Sequence, residues 1–176
     1  MSKDNAKELI LVLGGARSGK SSWALQYAES NNENLLFLAT AEIIDEEMEE
    51  RVRLHKENRG PKWSLVEEPL ELSNVLKEGA SEYDVILIDC ITVWLGNVLY
   101  KQGRNKAEYY IERFLEALKL RPCNVIAVAN EVGTGVVPAH ESGRIFRDLS
   151  GSLHQKISAM ADKVVFTIAG IPMFLK

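Results

Sequence analysis

The chain has 176 residues, 46% hydrophobic and 26% charged, with a formal net charge of −4 and an isoelectric point near 5.5. This length fits one domain that buries about 70% of its unfolded surface, and an acidic balance without a Lys/Arg cluster excludes a general nucleic-acid binder and points to a small-molecule enzyme. Cys90 and Cys123 are too few for a disulfide framework and read as buried thiols in a reducing cytosol.

Residues 1–8 are expected to form a flexible, charged extension carrying Lys3, Asp4, Lys7 and Glu8, and the apolar run that follows is too short for a signal peptide or membrane span. Leu9 to Leu13 is a buried-strand pattern that runs straight into Gly14-Gly15-Ala16-Arg17-Ser18-Gly19-Lys20-Ser21. Gly-x-x-x-x-Gly-Lys-Ser between a strand and a helix is the pattern of a phosphate-binding loop. Gly14 and Gly19 let the backbone curl so that successive N–H groups converge on phosphate oxygens at a helix N-terminus. Lys20 is spaced to reach the β- and γ-phosphates, and the Ser21 hydroxyl to ligate Mg²⁺. The predicted helix covers Gly19 to Asn31, and a second strand follows at Leu35 to Ala39.

Asp45 to Asn58 is predicted as a helix, with Asp45-Glu46-Glu47 at its N-terminus and Glu47/Arg51 and Glu49/Arg53 spaced as i,i+4 pairs. Met48, Val52 and His55 fall on one stripe. His55 is then either a helix-end histidine satisfying a carbonyl or a nucleophile for an activated phosphorus. Pro69 to Gly79 is the next predicted helix, and Val85 to Ile88 a strand ending in Asp89, which is placed to hold Mg²⁺ directly or through water. Helices are expected at Thr92 to Lys101 and Lys106 to Lys119. Asn105-Lys106-Ala107-Glu108 lacks the final Asp and the preceding strand of a guanine-recognition motif, so it reads as a helix start and excludes a switch GTPase by that criterion. Val125 to Ala129 is a strand, and Asn130-Glu131-Val132-Gly133 is a loop at the ligand-binding edge of an open sheet. Gly133 and Gly135 either supply positive φ or belong to a substrate-facing loop with Glu131 as base or metal contact. Ser142 to Asp162 is a helix with an Ile145, Leu149, Leu153, Ile157, Met160 core stripe, and Val164 to Ala169 is the last strand. The alternation implies an α/β, single-domain P-loop NTPase-type fold, with a mostly parallel sheet and helices on both faces.

The chain resembles one enzyme family in GGARSGKS, Ala39-Thr40-Ala41, Asp45 to Met48 with Arg51, His55-Lys56 and Arg59, Trp63, Glu67 and Asp89 to Asn97. The resemblance continues through Asn130 to Pro138, Phe146-Arg147-Asp148 and Gly170-Ile171-Pro172. That family is the bifunctional adenosylcobinamide kinase/adenosylcobinamide-phosphate guanylyltransferase of cobalamin biosynthesis. The resemblance implies that ATP or GTP phosphorylates the aminopropanol hydroxyl of adenosylcobinamide. A guanylyl group from GTP is then passed through a histidine, matched by His55, onto adenosylcobinamide phosphate. It further implies a nucleotide site of Gly14, Gly15, Ala16, Arg17, Ser18, Gly19, Lys20, Ser21, Ala39, Thr40, Ala41, Lys56, Glu57, Asn58, Arg59, Glu67 and Asp89. Mg²⁺ would sit on Ser21 and Asp89, and the protein would be a cytoplasmic homo-oligomer, a trimer by family resemblance. Glu67 could accept from a guanine edge or from ribose hydroxyls. Two stretches depart from the pattern: Gly151-Ser152-Leu153-His154-Gln155 stands where the family usually has Gly-Arg-x-Asn-Gln, and Met173 to Lys176 is more apolar than usual. His140 and His154 read as surface or packing residues. Without His55 chemistry the same loop would serve a plain small-molecule kinase or a nucleotide-dependent regulatory module.

Overall fold

In the computed structural model, residues 7–30, 32–42, 60–78 and 82–176 are described. Their elements are β1 (Leu9–Gly14), α1 (Lys20–Glu29), β2 (Leu35–Ala39), β3 (Trp63–Glu67), α2 (Leu72–Glu78), β4 (Val85–Asp89), α3 (Ile91–Gln102), α4 (Arg104–Leu120), β5 (Asn124–Asn130), α5 (Glu141–Met160), β6 (Lys163–Ile168) and β7 (Ile171–Phe174). One seven-stranded sheet has the order β3-β2-β4-β5-β1-β6-β7. Every neighbouring pair is parallel except β6 with β7.

The central strands are apolar on both faces because both faces are covered. Leu9, Leu11 and Leu13 join Ile86, Ile88, Val125 and Ala127 beneath buried residues of α2, α3, α4 and α5. The alternate residues, Ile10, Val12, Leu87, Ile126 and Val128, pack with Ala24 and Ala28 of α1. Two alanines at i,i+4 let α1 lie close against the sheet. On the other face Ile111, Phe114, Leu115 and Leu118 form the buried stripe of α4. Trp94 meets Phe114 with ring centroids 4.9 Å apart and donates its indole N–H to the Leu70 carbonyl at 2.8 Å. The predicted α/β architecture with a parallel sheet and helices on both faces is therefore present.

β3 and β7 are additional to the five strands read from the sequence. Both are edge strands with half-exposed patterns: β3 breaks its apolar residues with Ser64 and ends in Glu67, and β7 is apolar but only four residues long. β7 carries Pro172, which edge positions tolerate. The strand expected through Ala169 ends at Ile168, because Ala169 and Gly170 turn the chain with φ of 51° and 82°. Positive φ at both central residues of a two-residue hairpin is the geometry that matches strand twist. Asn105 and Lys106 lie in the first turn of α4, as a helix start should. Glu8 is anchored: its N–H donates to Asn124 Oδ1 at 2.9 Å and its carboxylate pairs with Lys163 at 2.6 Å. The helix expected over Asp45 to Asn58 lies outside the described residues. No helix among the described residues is long and apolar enough to cross a membrane.

Candidate functional site

β1 delivers the chain to the carboxyl edge of the sheet, where Gly14 is enclosed. A β-carbon there would lie 2.4 Å from Ser18 Oγ and 2.5 Å from Thr167 Oγ1. Gly14 is thus required for close approach, whereas Gly19, at φ +94°, is required for its left-handed backbone. Gly15, Ala16 and Arg17 form the exposed crown of the loop. Ser18 N–H donates to the Gly15 carbonyl at 3.3 Å, and Ser18 Oγ shares a 2.8 Å hydrogen bond with Thr167 Oγ1. α1 begins at Lys20 with no side-chain cap and no acidic residue in its first turn, so its N-terminal N–H groups and dipole are open to an anion. The Lys20 ammonium reaches back across the loop to the Gly15 carbonyl at 3.0 Å.

The strand ends then align a row of residues. Glu67 pairs with Ala39, Ala39 with Asp89, Asp89 with Val128 and Gly14 with Asn130. Thr40 is buried, and its hydroxyl donates to the Cys90 carbonyl at 2.8 Å while accepting the Cys90 N–H at 2.9 Å. Its side chain therefore ties the end of β2 to the start of α3 and has no donor left for a nucleotide. Asn97 Nδ2 donates to the Thr40 carbonyl at 2.8 Å and holds the same corner. Cys90 caps α3 by accepting from Val93 N–H at 3.4 Å. Burial, reinforced by the neighbouring Asp89 carboxylate, pushes its thiol up to about 11, which removes it as a nucleophile near neutrality. Cys123 is likewise buried and pushed up to about 11, chiefly by desolvation.

After β5, Glu131 N–H donates to the Gly14 carbonyl at 3.0 Å, so the Asn130–Pro138 loop starts against the phosphate loop. Glu131 Oε1 accepts from Gly133 N–H at 2.5 Å, and a β-carbon on Gly133 would lie 2.7 Å from that oxygen. Neither Gly133 nor Gly135 has the positive φ that the sequence suggested. Beyond it Thr134 to Val137 are exposed, while Arg144 holds the loop's end through the Pro138 and Ala139 carbonyls. His154 of α5 is buried, with Nδ1 3.7 Å from Glu131 Oε2. Burial holds its ring below the ordinary histidine value, and the Glu131 carboxylate partly opposes that shift.

A cavity of about 160 Å³ lies elsewhere, lined by Glu8, Ile10, Tyr27, Asn32, Val85 and Asn124 among others. Those residues sit at the amino ends of the strands, whereas ligands of open α/β sheets bind at the carboxyl ends.

The family model for cobinamide kinase / cobinamide phosphate guanyltransferase matches residues 10–175. This chain belongs to that family. Among curated proteins it is 41% identical to the bifunctional adenosylcobalamin biosynthesis protein CobP of Pseudomonas aeruginosa, over 94% of this chain and 96% of the relative. It is 33% identical to the corresponding protein CobU of Escherichia coli, over 96% and 99%. Among solved structures, the RadB recombinase aligns over 90% of this chain and 73% of its own, with a TM-score of 0.50 and 16% identity, a likeness of fold.

As a cobinamide kinase / cobinamide phosphate guanyltransferase, the chain is a nucleotide-using transferase of cobalamin biosynthesis. Of the residues expected to act in it, Gly14 to Ser21, Ala39 to Ala41, Glu67 and Asp89 lie at one edge of the sheet, the edge where α1 begins. His55, Lys56, Glu57, Asn58 and Arg59 lie outside the described residues. Glu67 is four strands from Gly14, roughly 19 Å across the sheet, so it stands well apart from the phosphate loop. Asn97, Gly170 and Asn130 stood in the family motifs without an assigned role, and sequence reading missed Thr167, which carries no motif signal and is brought to the loop by the pairing of β6 with β1. His154, expected as surface or packing, is packed under Glu131.

Proposed function

We propose that this enzyme phosphorylates adenosylcobinamide on its aminopropanol hydroxyl with ATP or GTP and then guanylylates the product through His55. The observation that supports this reading is the fold of Gly14 to Ser21, a glycine-built loop that leads into an uncapped helix N-terminus at the carboxyl edge of the sheet, the edge where β4 ends in Asp89. In the first step the substrate hydroxyl attacks the γ-phosphorus, the bond to the β-phosphate oxygen breaks, ADP or GDP leaves and the hydroxyl proton passes to solvent, while Lys20, with the N–H groups at the start of α1, offsets charge on the phosphate oxygens. In the second, the His55 imidazole attacks the α-phosphorus of GTP and pyrophosphate leaves. The phosphate of adenosylcobinamide phosphate then displaces His55 to give adenosylcobinamide-GDP.

The donor set fits Mg²⁺. Ser21 contributes a hydroxyl and Asp89 a carboxylate, both hard oxygens, and no group of three or more His, Cys, Asp or Glu capable of building an all-protein cage exists among the described residues. Magnesium commonly takes only one or two protein ligands beside substrate phosphates. When bound, it would neutralise phosphate charge. Glu67, far from the loop along the strand row, suits a guanine or ribose contact better than a phosphate contact. Its acceptor-only carboxylate matches N–H and O–H donors. The cytoplasm is the compartment in keeping with two unpaired buried thiols, and the family resemblance favours a homo-oligomer, specifically a trimer.

Incubation with Mg²⁺ and GTP labelled at the α-phosphorus tests the guanylyl step. The expected result is an acid-labile, base-stable protein adduct that disappears in His55→Ala. An unlabelled wild type, or equal labelling of His55→Ala, contradicts it. Transfer of γ-label to adenosylcobinamide should be lost in Lys20→Ala, and light scattering of the purified protein should return three times the chain mass.

A further inference from the structure

Asn130 ends β5, the strand that lies between β1, which feeds the phosphate loop, and β4, which ends in Asp89. Ile126 and Val128 face α1 together with Ala24 and Ala28, and strand alternation puts Asn130 on that same face. Leu87 also faces α1, so Asp89 follows the same parity. Asn130 is therefore set between Gly14 and Asp89, on the face where α1 starts.

Its backbone is held on every side. The Asn130 N–H donates to Thr92 Oγ1 at 2.7 Å, the Thr92 hydroxyl returns a 3.3 Å bond to the Asn130 carbonyl, and the following N–H is taken by Gly14. The side chain does none of this work. Asn130 Oδ1 is buried and has no hydrogen-bond partner among the described residues. A buried carbonyl without a donor is unfavourable, and native proteins seldom keep one without a reason. A carboxamide offers one acceptor and two donors at a single place. Such a group matches a phosphoryl-transfer site, where a phosphate oxygen needs a donor and an attacking hydroxyl needs an acceptor.

We propose that Asn130 is a substrate-contacting residue of the kinase step, its carboxamide donating to a terminal phosphate oxygen of the bound triphosphate and accepting from the attacking hydroxyl. The proposal rests on the reading that Gly14 to Ser21 holds a triphosphate. It assigns Asn130 to the γ-position, so a diphosphate should not sense the residue.

The test is a titration of the purified protein, with Mg²⁺, against β,γ-imido-ATP and against ADP, in wild type, Asn130→Ala, Asn130→Asp and Lys20→Ala. Loss of a hydrogen bond to a charged phosphate should weaken triphosphate binding of Asn130→Ala about tenfold, with ADP affinity unchanged. Asn130→Asp keeps the shape but brings a like charge, so its triphosphate affinity should fall further. It also carries the comparison if the alanine variant proves unstable by circular dichroism, since the Thr92 bonds involve only backbone. Equal loss for both nucleotides, or loss for neither, overturns the assignment. If Lys20→Ala binds both nucleotides like wild type, the loop reading itself fails. If Lys20→Ala is impaired while the Asn130 variants are normal, only the Asn130 contact fails.

Discussion

Gly19 and Gly170 meet backbone to backbone: a β-carbon on Gly19 would lie 2.9 Å from Gly170 Cα, and Gly170 N–H donates to the Ser18 carbonyl at 2.9 Å. The turn between β6 and β7 thereby closes over the phosphate loop. Gly19→Ala combines left-handed strain with a clash against backbone that cannot swing aside, whereas the β-carbon of Gly170→Ala enters open space. Gly170→Ala should lose about 1 kcal/mol from φ alone, and Gly19→Ala more than twice that, with ADP binding weakened at least about tenfold. Urea denaturation and nucleotide titration check the order; an alanine at 19 as mild as one at 170 would contradict it.

Thr167 holds the loop from the side. Its hydroxyl bonds Ser18 Oγ at 2.8 Å and reaches the Leu13 carbonyl at 3.4 Å. Thr167→Val keeps the shape but strands the buried Ser18 hydroxyl, which should cost about 1–3 kcal/mol. The nucleotide KM should rise in both half-reactions. Thr167→Ser should restore both quantities, and a serine variant no better than valine would point to methyl packing instead.

Thr40 serves as a clamp. One hydroxyl satisfies both the N–H and the carbonyl of Cys90, so Thr40→Val leaves two backbone groups without that partner and should destabilise the protein by about 2–4 kcal/mol. Its kcat and KM below the melting transition should stay near wild type. A kinetic defect in a stably folded Thr40→Val would instead indicate direct nucleotide contact.

Stability should carry a histidine signature. Burial depresses the folded-state value of His154 below its ordinary 6.5, so the unfolded chain binds more protons below about pH 6.5 and stability falls with acid from there. A single such group can contribute at most about 1.4 kcal/mol per pH unit. His154→Asn removes the titration. The stability difference between wild type and variant, measured by urea denaturation at about pH 8, 6.5 and 5.5, should be flat above 6.5 and shift against wild type below it. A constant difference throughout would show that the ring's protonation is not linked to folding.

Glu131 and Asn130 show where legibility in the sequence stopped. Both stood out as polar residues after an apolar strand, but their different directions, one towards His154 and one towards α1, follow from strand parity and from which helices cover each face. β3 and β7 escaped for a related reason: an edge strand is recognised by the hydrogen bonds of its neighbour. Its own residues need not be apolar. Gly133 was noticed as a glycine, yet its φ is not positive, and what it contributes is a backbone N–H bonded to Glu131 Oε1.

The strand–loop–helix fold of Gly14 to Ser21 was legible because strand, Gly-x-x-x-x-Gly-Lys-Ser and helix are contiguous, so local spacing alone sets the backbone there. The same holds for Asp89 at the end of an apolar run and for the family motifs in chain order. Only the tertiary structure decided what closes the loop, Thr167 and Gly170 from the far end of the chain, and what lies between it and Asp89. Those neighbours are set by strand order, a long-range pairing that leaves no periodic trace in the residues themselves.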